Sequence, residues 1–152
     1  MSLYRSAAHT KYDCRYHLVW IPKYRRKVLL GEMKERLQEL INQRSKELRV
    51  IILKGAIEPD HVHLYVSLPP SLAVSKYMNL IKGMTSCVLR KEFSKELKEF
   101  YWKPVLWADG YFVATVGEIN DKVIRDYIAE QESQEQKGSN SGDVWGYSAK
   151  PL

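Results

Sequence analysis

Apolar residues along this 152-residue chain recur with two periods, one of two residues and one of about three and a half, and each switch marks a new element. Residues 12–21 (YDCRYHLVWI) are rich in aromatic and β-branched side chains and stop at Pro22, which predicts a first strand after a loose leader over residues 1–10. From 31 to 48, Met33, Leu37, Leu40, Ile41 and Leu48 recur at helical spacing among charged and amide residues, the stripe of an amphipathic helix. A β-branched run over 50–57, the turn residues Glu58, Pro59 and Asp60, and the run HVHLYVSL over 61–68 predict a hairpin. Pro69 and Pro70 end it. A long helix is expected from about 71 towards 100, with Val74, Tyr77, Met78, Ile81, Val88 and Leu89 on its apolar side and a bend at Gly83. Residues 105–108 and 111–116 flank Asp109-Gly110, a pair suited to two-residue turns, and so predict a second hairpin. Asn120 is a good N-cap, with Ile119 and Ile124 placed as a hydrophobic staple, for a last helix over about 120–136.

This order contains βαββαβ, the ferredoxin-like split βαβ unit, and so predicts an α+β fold: an antiparallel sheet with helices packed on it, plus a C-terminal helix. One domain over residues 1–137 is followed by a polar linker and an apolar-tipped, flexible tail over 138–152. The length leaves no room for a second full domain and is enough to bury a core without disulfide staples.

Within the first hairpin, His61 and His63 stand two residues apart and share a strand face with Tyr65 and Ser67, while Val62, Leu64, Val66 and Leu68 form the opposite, core-directed face. The histidines are therefore expected on a polar face or one that opens to a site. Two neutral imidazoles side by side can hold a divalent metal if the fold brings a third ligand. The same pair is equally at home as an ordinary surface couple. On the last helix Val123, Ile124, Tyr127, Ile128 and Gln131 follow one stripe, so that Gln131 presents an oxygen one turn beyond Tyr127. That stripe reads either as packing or as a nucleophile beside a ligand, depending on where the helix docks.

Charge narrows the partners. Lys and Arg number 24 against 18 Asp and Glu, for a net charge of +6 and a pI near 9.2, a lean towards polyanions. Lys23, Arg25, Arg26 and Lys27 gather around Tyr24 in the loop after the first strand. They form either a solvated basic loop, as charge runs commonly do, or a phosphate-gripping patch with a stacking ring. Lys82, in the more purely positive first half of the second helix, is a further candidate for phosphate contact. Cys14 and Cys87 lie far apart and fit reduced core thiols rather than a disulfide framework. With no apolar leader and no apolar run of membrane-spanning length, the chain reads as soluble and cytoplasmic, with no membrane partner and no nucleotide cofactor.

The strings EPDHVHLYVSLPP, LWADGYFVATVG and IRDYIAEQ resemble, in that order and spacing, the small single-tyrosine HUH transposases of bacterial and archaeal insertion sequences that move as single-stranded DNA. The opening YHLVWIPKYRRKVL resembles that family's first strand and loop, and the resemblance covers roughly residues 9–136. It implies that His61 and His63 are metal ligands, that Gln131 completes the binding of magnesium or manganese, and that Tyr127 is the nucleophile on a catalytic C-terminal helix. It further implies a homodimer that cleaves and rejoins single-stranded DNA with hairpin ends through a 5′-phosphotyrosine, with Lys23, Arg25, Arg26 and Lys27 as DNA contacts. None of the four matched site positions is substituted. Two other readings stay open: a non-catalytic ferredoxin-like binder of single-stranded nucleic acid, and a host-adopted relative that processes chromosomal repeat hairpins with the same chemistry.

Overall fold

A computed structural model of the chain describes residues 4–115 together with residues 126 and 129. The leader is more ordered than its composition suggests. β1 (Arg5–Ala7) and β2 (Thr10–Tyr12) pair as a small antiparallel hairpin turned by His9 at φ 60. Arg5 ties this hairpin to the rest of the fold by donating to the carbonyl oxygens of Ser67 and Arg49, each at 2.9 Å.

Then follow β3 (Arg15–Trp20), α1 (Gly31–Glu47), β4 (Ile51–Glu58), β5 (His61–Ser67), α2 (Val74–Glu92), α3 (Ser94–Lys98) and β6 (Phe112–Ala114). The last four strands form one antiparallel sheet in the order β4-β5-β3-β6. The first and third strands of the βαββαβ unit thus lie at its centre and the second and fourth at its edges, which is the predicted ferredoxin-like arrangement.

One face of the sheet carries the core. Leu18 and Trp20 of β3 and Val62, Leu64 and Val66 of β5 join Met33, Leu37, Leu40 and Ile41 of α1 and Tyr77, Met78, Ile81 and Leu89 of α2 in a single buried cluster. Each aliphatic side chain of this size contributes ~1.5–3 kcal/mol on leaving water, which makes helix stripes on sheet the main source of stability. Ser45 Oγ and Tyr77 OH lie 2.6 Å apart across α1 and α2 and satisfy each other in that interior. Burial pushes the Tyr77 phenol up to about 12, against the pull of the Ser45 hydrogen bond.

Three expectations are corrected. The second helix stops at Glu92 instead of running on towards 100, because Phe93 takes φ −122 and ψ 34 and α3 begins afresh at Ser94; Gly83 lies within α2. The second hairpin is not a two-stranded ladder: Trp107 makes one isolated bridge to Pro22, and β6 pairs with β3 instead. Gly110 at φ 79 still turns the chain. The residues before it are committed to packing, with Leu106, Trp107 and Ala108 buried and Trp107 Nε1 donating to Thr85 Oγ1 at 2.9 Å, while β3 offers an open edge. Neither thiol belongs to the core, since Cys14 is half-buried and Cys87 exposed, and both are free.

No helix among the described residues is long and apolar enough to cross a membrane. Asp126 and Ala129 are helical and exposed. The rest of the predicted last helix, including Tyr127 and Gln131, and the tail over 138–152 lie outside the described residues.

Candidate metal centre

The turn at Pro59-Asp60 starts the site. Across it Glu58 pairs with His61 and Ala56 with His63, so the hairpin closes tightly and both imidazoles follow at once. An extra residue at Leu53 shifts the register between Ile52 and Lys54, and from there Lys54, Ala56 and Glu58 share the histidine face. Directly opposite residues of antiparallel strands point the same way. The face therefore continues into β3 through Val19, opposite His63, and His17, opposite Tyr65, and into β6 through Phe112 and Ala114.

This face is not open to solvent, contrary to the expectation from its polarity: His61 is 2 % exposed, His63 4 % and His17 8 %. β5 is an inner strand and is buried on both sides, with Tyr65 half-buried. His17 Nδ1 and His63 Nε2 lie 3.1 Å apart and share a hydrogen, and the His17 ring stacks on Tyr65 with centroids 4.2 Å apart. His61 Nε2 and His63 Nδ1 are buried with no hydrogen-bond partner among the described residues. Each such orphan costs ~1–3 kcal/mol, a penalty that a metal bond would remove.

The other nitrogen of His61 is engaged. Its Nδ1–H donates to Asp60 Oδ1 at 2.9 Å, and Asp60 Oδ2 accepts from Arg25 Nε at 2.9 Å. A carboxylate in this position fixes the tautomer and leaves the Nε2 lone pair available for a metal. Burial works to raise the Asp60 carboxyl, but the hydrogen bonds from His61 and Arg25 outweigh it and hold the group at about 2, ionised at neutral pH. Burial pushes His63 down to about 3, aided by His17, His61 and Lys54, so its ring is neutral at pH 7, as ligation requires. Lone pairs on neutral imidazoles are a donor set that fits a divalent cation. Among the described residues no three His, Cys, Asp or Glu side chains form a metal-holding group. Gln131, expected as the third ligand, lies outside the described residues, as does Tyr127.

Arg25 reaches Asp60 from a constrained loop. Tyr24 at φ 60 and Arg25 at φ 53 are both left-handed, a conformation that costs of order 1–3 kcal/mol for each such residue. It persists because the loop is tied down: Lys23 N donates to Leu106 O at 2.7 Å, Tyr101 OH to Lys23 O at 2.7 Å, and Leu29 N to Pro59 O at 3.1 Å. Arg25 is thus placed on Asp60, as part of the support of His61. Lys23 and Arg26 flank the Tyr24 ring, with Nζ 5.8 Å and Cζ 5.9 Å from its centroid, and Arg26 and Lys27 are exposed. Lys82 sits under the 108–110 turn, its ammonium donating to Ala108 O and Gly110 O at 2.8 Å each. Burial pushes it down to about 8, with Asp109 pulling the other way.

Two site residues escape sequence reasoning. His17 joins His63 only through strand pairing across 46 residues, which leaves no local signal. Asp60 reads as turn chemistry, and its adjacency to His61 was the available sign of a second role.

Known proteins are similar to this chain in sequence and in fold. The family model for IS200-like transposases matches residues 10–131, a span that holds His61, His63, Tyr127 and Gln131. The transposase for insertion sequence element IS200 of Salmonella typhimurium is 36% identical over 134 residues, 88% of this chain and 87% of that protein. The ISDra2 transposase TnpA of Deinococcus radiodurans is 32% identical over 126 residues, 82% of this chain and 88% of that protein. The crystal structure of a candidate transposase from Deinococcus radiodurans R1 matches with a TM-score of 0.76 at 28% identity, covering 84% of this chain and 97% of that one.

Proposed function

The chain belongs to the IS200-like transposase family, and on that premise we propose that it cleaves and rejoins single-stranded DNA at insertion-sequence ends through a 5′-phosphotyrosine on Tyr127. The observation that supports this reading is the pair of buried imidazole nitrogens, His61 Nε2 and His63 Nδ1, without a hydrogen-bond partner among the described residues and beside a basic loop.

His61, His63 and the amide oxygen of Gln131 would hold a divalent ion, magnesium or manganese. When bound, that ion supplies a Lewis acid for the scissile phosphate and aligns it for in-line attack. Asp60 keeps the His61 ring in the ligating tautomer, and Arg25 keeps Asp60 in place. The Tyr127 phenol loses its proton to solvent and its oxygen attacks phosphorus. The bond from phosphorus to the 3′-oxygen breaks, and that oxygen takes up a proton and departs as a free 3′-OH. The 5′-phosphate stays on Tyr127. In the joining step a 3′-OH attacks the phosphotyrosine, a phosphodiester forms and the phenol leaves. A phenol ionises near pH ~10, well below an aliphatic alcohol, so this step needs no ATP. Exchange of two strands calls for two tyrosines and hence a homodimer. Lys23, Arg26 and Lys27 contact the phosphates of the hairpin ends.

The test is to incubate the full chain with single-stranded DNA carrying the end hairpin and magnesium or manganese, then run a denaturing gel. Wild type gives a covalent protein–DNA band and Tyr127→Phe gives none. A band that survives in the Phe variant overturns the nucleophile, and hairpin binding without any band in wild type points to the non-catalytic binder.

A further inference from the structure

Trp102, beyond the end of α3, is 87 % exposed, and its neighbour Phe100 is 38 % exposed. Trp102 stands as a ridge between two clefts of about 240 and 230 Å³. Lys23, Tyr24 and Arg26 line the first, Arg90 and Lys98 the second, and Lys103 borders both, its Nζ 4.7 Å from the centroid of the indole. Among the described residues no acidic side chain lines either cleft. Other clefts on the described surface mix signs, setting Lys34 with Glu58 in one and Arg36 and Arg44 with Glu47 in another. The buried Tyr101 also lines the first cleft, its ring 6.4 Å from that of Tyr24 and its hydroxyl on Lys23 O.

We propose that this groove is a base-stacking subsite for unpaired nucleotides of single-stranded DNA, with Trp102 and Tyr24 as stacking faces and Lys23, Arg26 and Lys103 on the phosphates. The proposal rests on the reading of the chain as a DNA transposase. Aromatic faces interleaved with cations, with no carboxylate among the described lining residues, match a strand that alternates bases and phosphates. Each cleft is smaller than the ~300–1,000 Å³ that drug-sized ligands fill, which suits a single base. With Lys23, Arg26, Arg90, Lys98 and Lys103 along it, the groove is complementary to a polyanion. The loop that carries Tyr24 also reaches the histidine pair, through Arg25 and Asp60. Arg25, on Asp60, lies between Tyr24 and Arg26 in the chain, and successive Cα atoms are only ~3.8 Å apart.

The experiment is anisotropy with labelled oligothymidylate and the full chain without added metal, so that binding is read apart from cleavage. Trp102→Ala weakens binding about 5- to 150-fold, the range seen on removing one stacked base–aromatic pair. Trp102→Phe recovers most of it, and the double variant Lys23→Ala/Arg26→Ala lowers the salt dependence. Oligonucleotides carrying 5-iododeoxyuridine cross-link to Trp102 or Tyr24, mapped by mass spectrometry. Circular dichroism serves as the control for folding, which an exposed ring does not govern. Wild-type binding that is unchanged in Trp102→Ala, with cross-links elsewhere, overturns the subsite and leaves the transposase reading intact. If Trp102→Ala shifts the sedimentation coefficient but not DNA affinity, the ring is a protein contact and the subsite is overturned. No binding of oligothymidylate by wild type overturns the subsite, whereas the parent reading falls only if end-hairpin DNA gives no covalent band.

Discussion

Asp60 Oδ1 accepts the His61 Nδ1 hydrogen at 2.9 Å, and through this one bond a turn residue decides which nitrogen of the imidazole is available. The carboxylate can do so because Arg25 holds its second oxygen. The chain of contacts that fixes the His61 ring thus begins in the loop after β3 and ends on β5.

Asp60→Asn is the direct probe of that support. An amide can accept from His61 Nδ1 or donate to it, so the tautomer is no longer set, and loss of such an outer partner typically costs 10–100-fold in metal affinity. Calorimetric titration with manganese should show a loss of that size in a folded protein. Unchanged affinity would mean that the Asp60–His61 bond does not govern ligation.

Acid should unfold the protein in two windows. His63 holds a value of about 3 when folded against an ordinary 6.5, so the native state refuses a proton that the unfolded chain accepts. Its contribution is full above pH 6.5 and is lost as pH falls from there towards 3. Asp60, at about 2 against 3.8, contributes ~2 kcal/mol above pH ~4 that is lost between about 4 and 2. Urea midpoints measured from pH 7 downwards should decline first in the histidine window, and His63→Gln should flatten that part of the curve. A midpoint constant from pH 7 to 4 in wild type would contradict the buried neutral ring.

Lys82→Ala should act on stability rather than on DNA. It leaves the carbonyls of Ala108 and Gly110 without their donor, and Ala108 is buried, so a destabilisation of ~1–3 kcal/mol is expected in chemical denaturation. The salt dependence of oligonucleotide binding should stay as in wild type, because a lysine on backbone carbonyls neutralises no phosphate. A slope reduced by about one would instead place Lys82 on the DNA.

Subunit mixing tests the two-tyrosine scheme. Tyr127→Phe and His61→Ala are each expected to be inactive alone. If the tyrosine of one protomer serves the histidines of its partner, the mixed dimer contains one complete centre and DNA cleavage returns. Continued inactivity of the mixture would place Tyr127 with the histidines of its own subunit.

The elements that sequence reasoning recovered are those decided by near neighbours. The stripe of Met33, Leu37, Leu40 and Ile41 needs only helical spacing, and the division of β5 into a His61/His63 face and a Val62/Leu64 face needs only alternation. Non-local choices were not legible. Asp109-Gly110 announces a turn but not its partner, and the open edge of β3 took the strand that follows. The polarity of the histidine face tells which side chains share it, not that the face is buried. A run of basic residues likewise does not separate Arg25, clamped on a carboxylate, from exposed Arg26 and Lys27.

The left-handed pair at Tyr24 and Arg25 has a consequence for recognition. Its conformational cost is met during folding, before any ligand arrives, so a loop already in its working shape has little entropy left to lose on binding. Glycine at these two positions would relax the backbone and, by the same act, free the loop to wander. The chain would then be easier to fold and poorer at holding whatever settles between Tyr24 and Trp102.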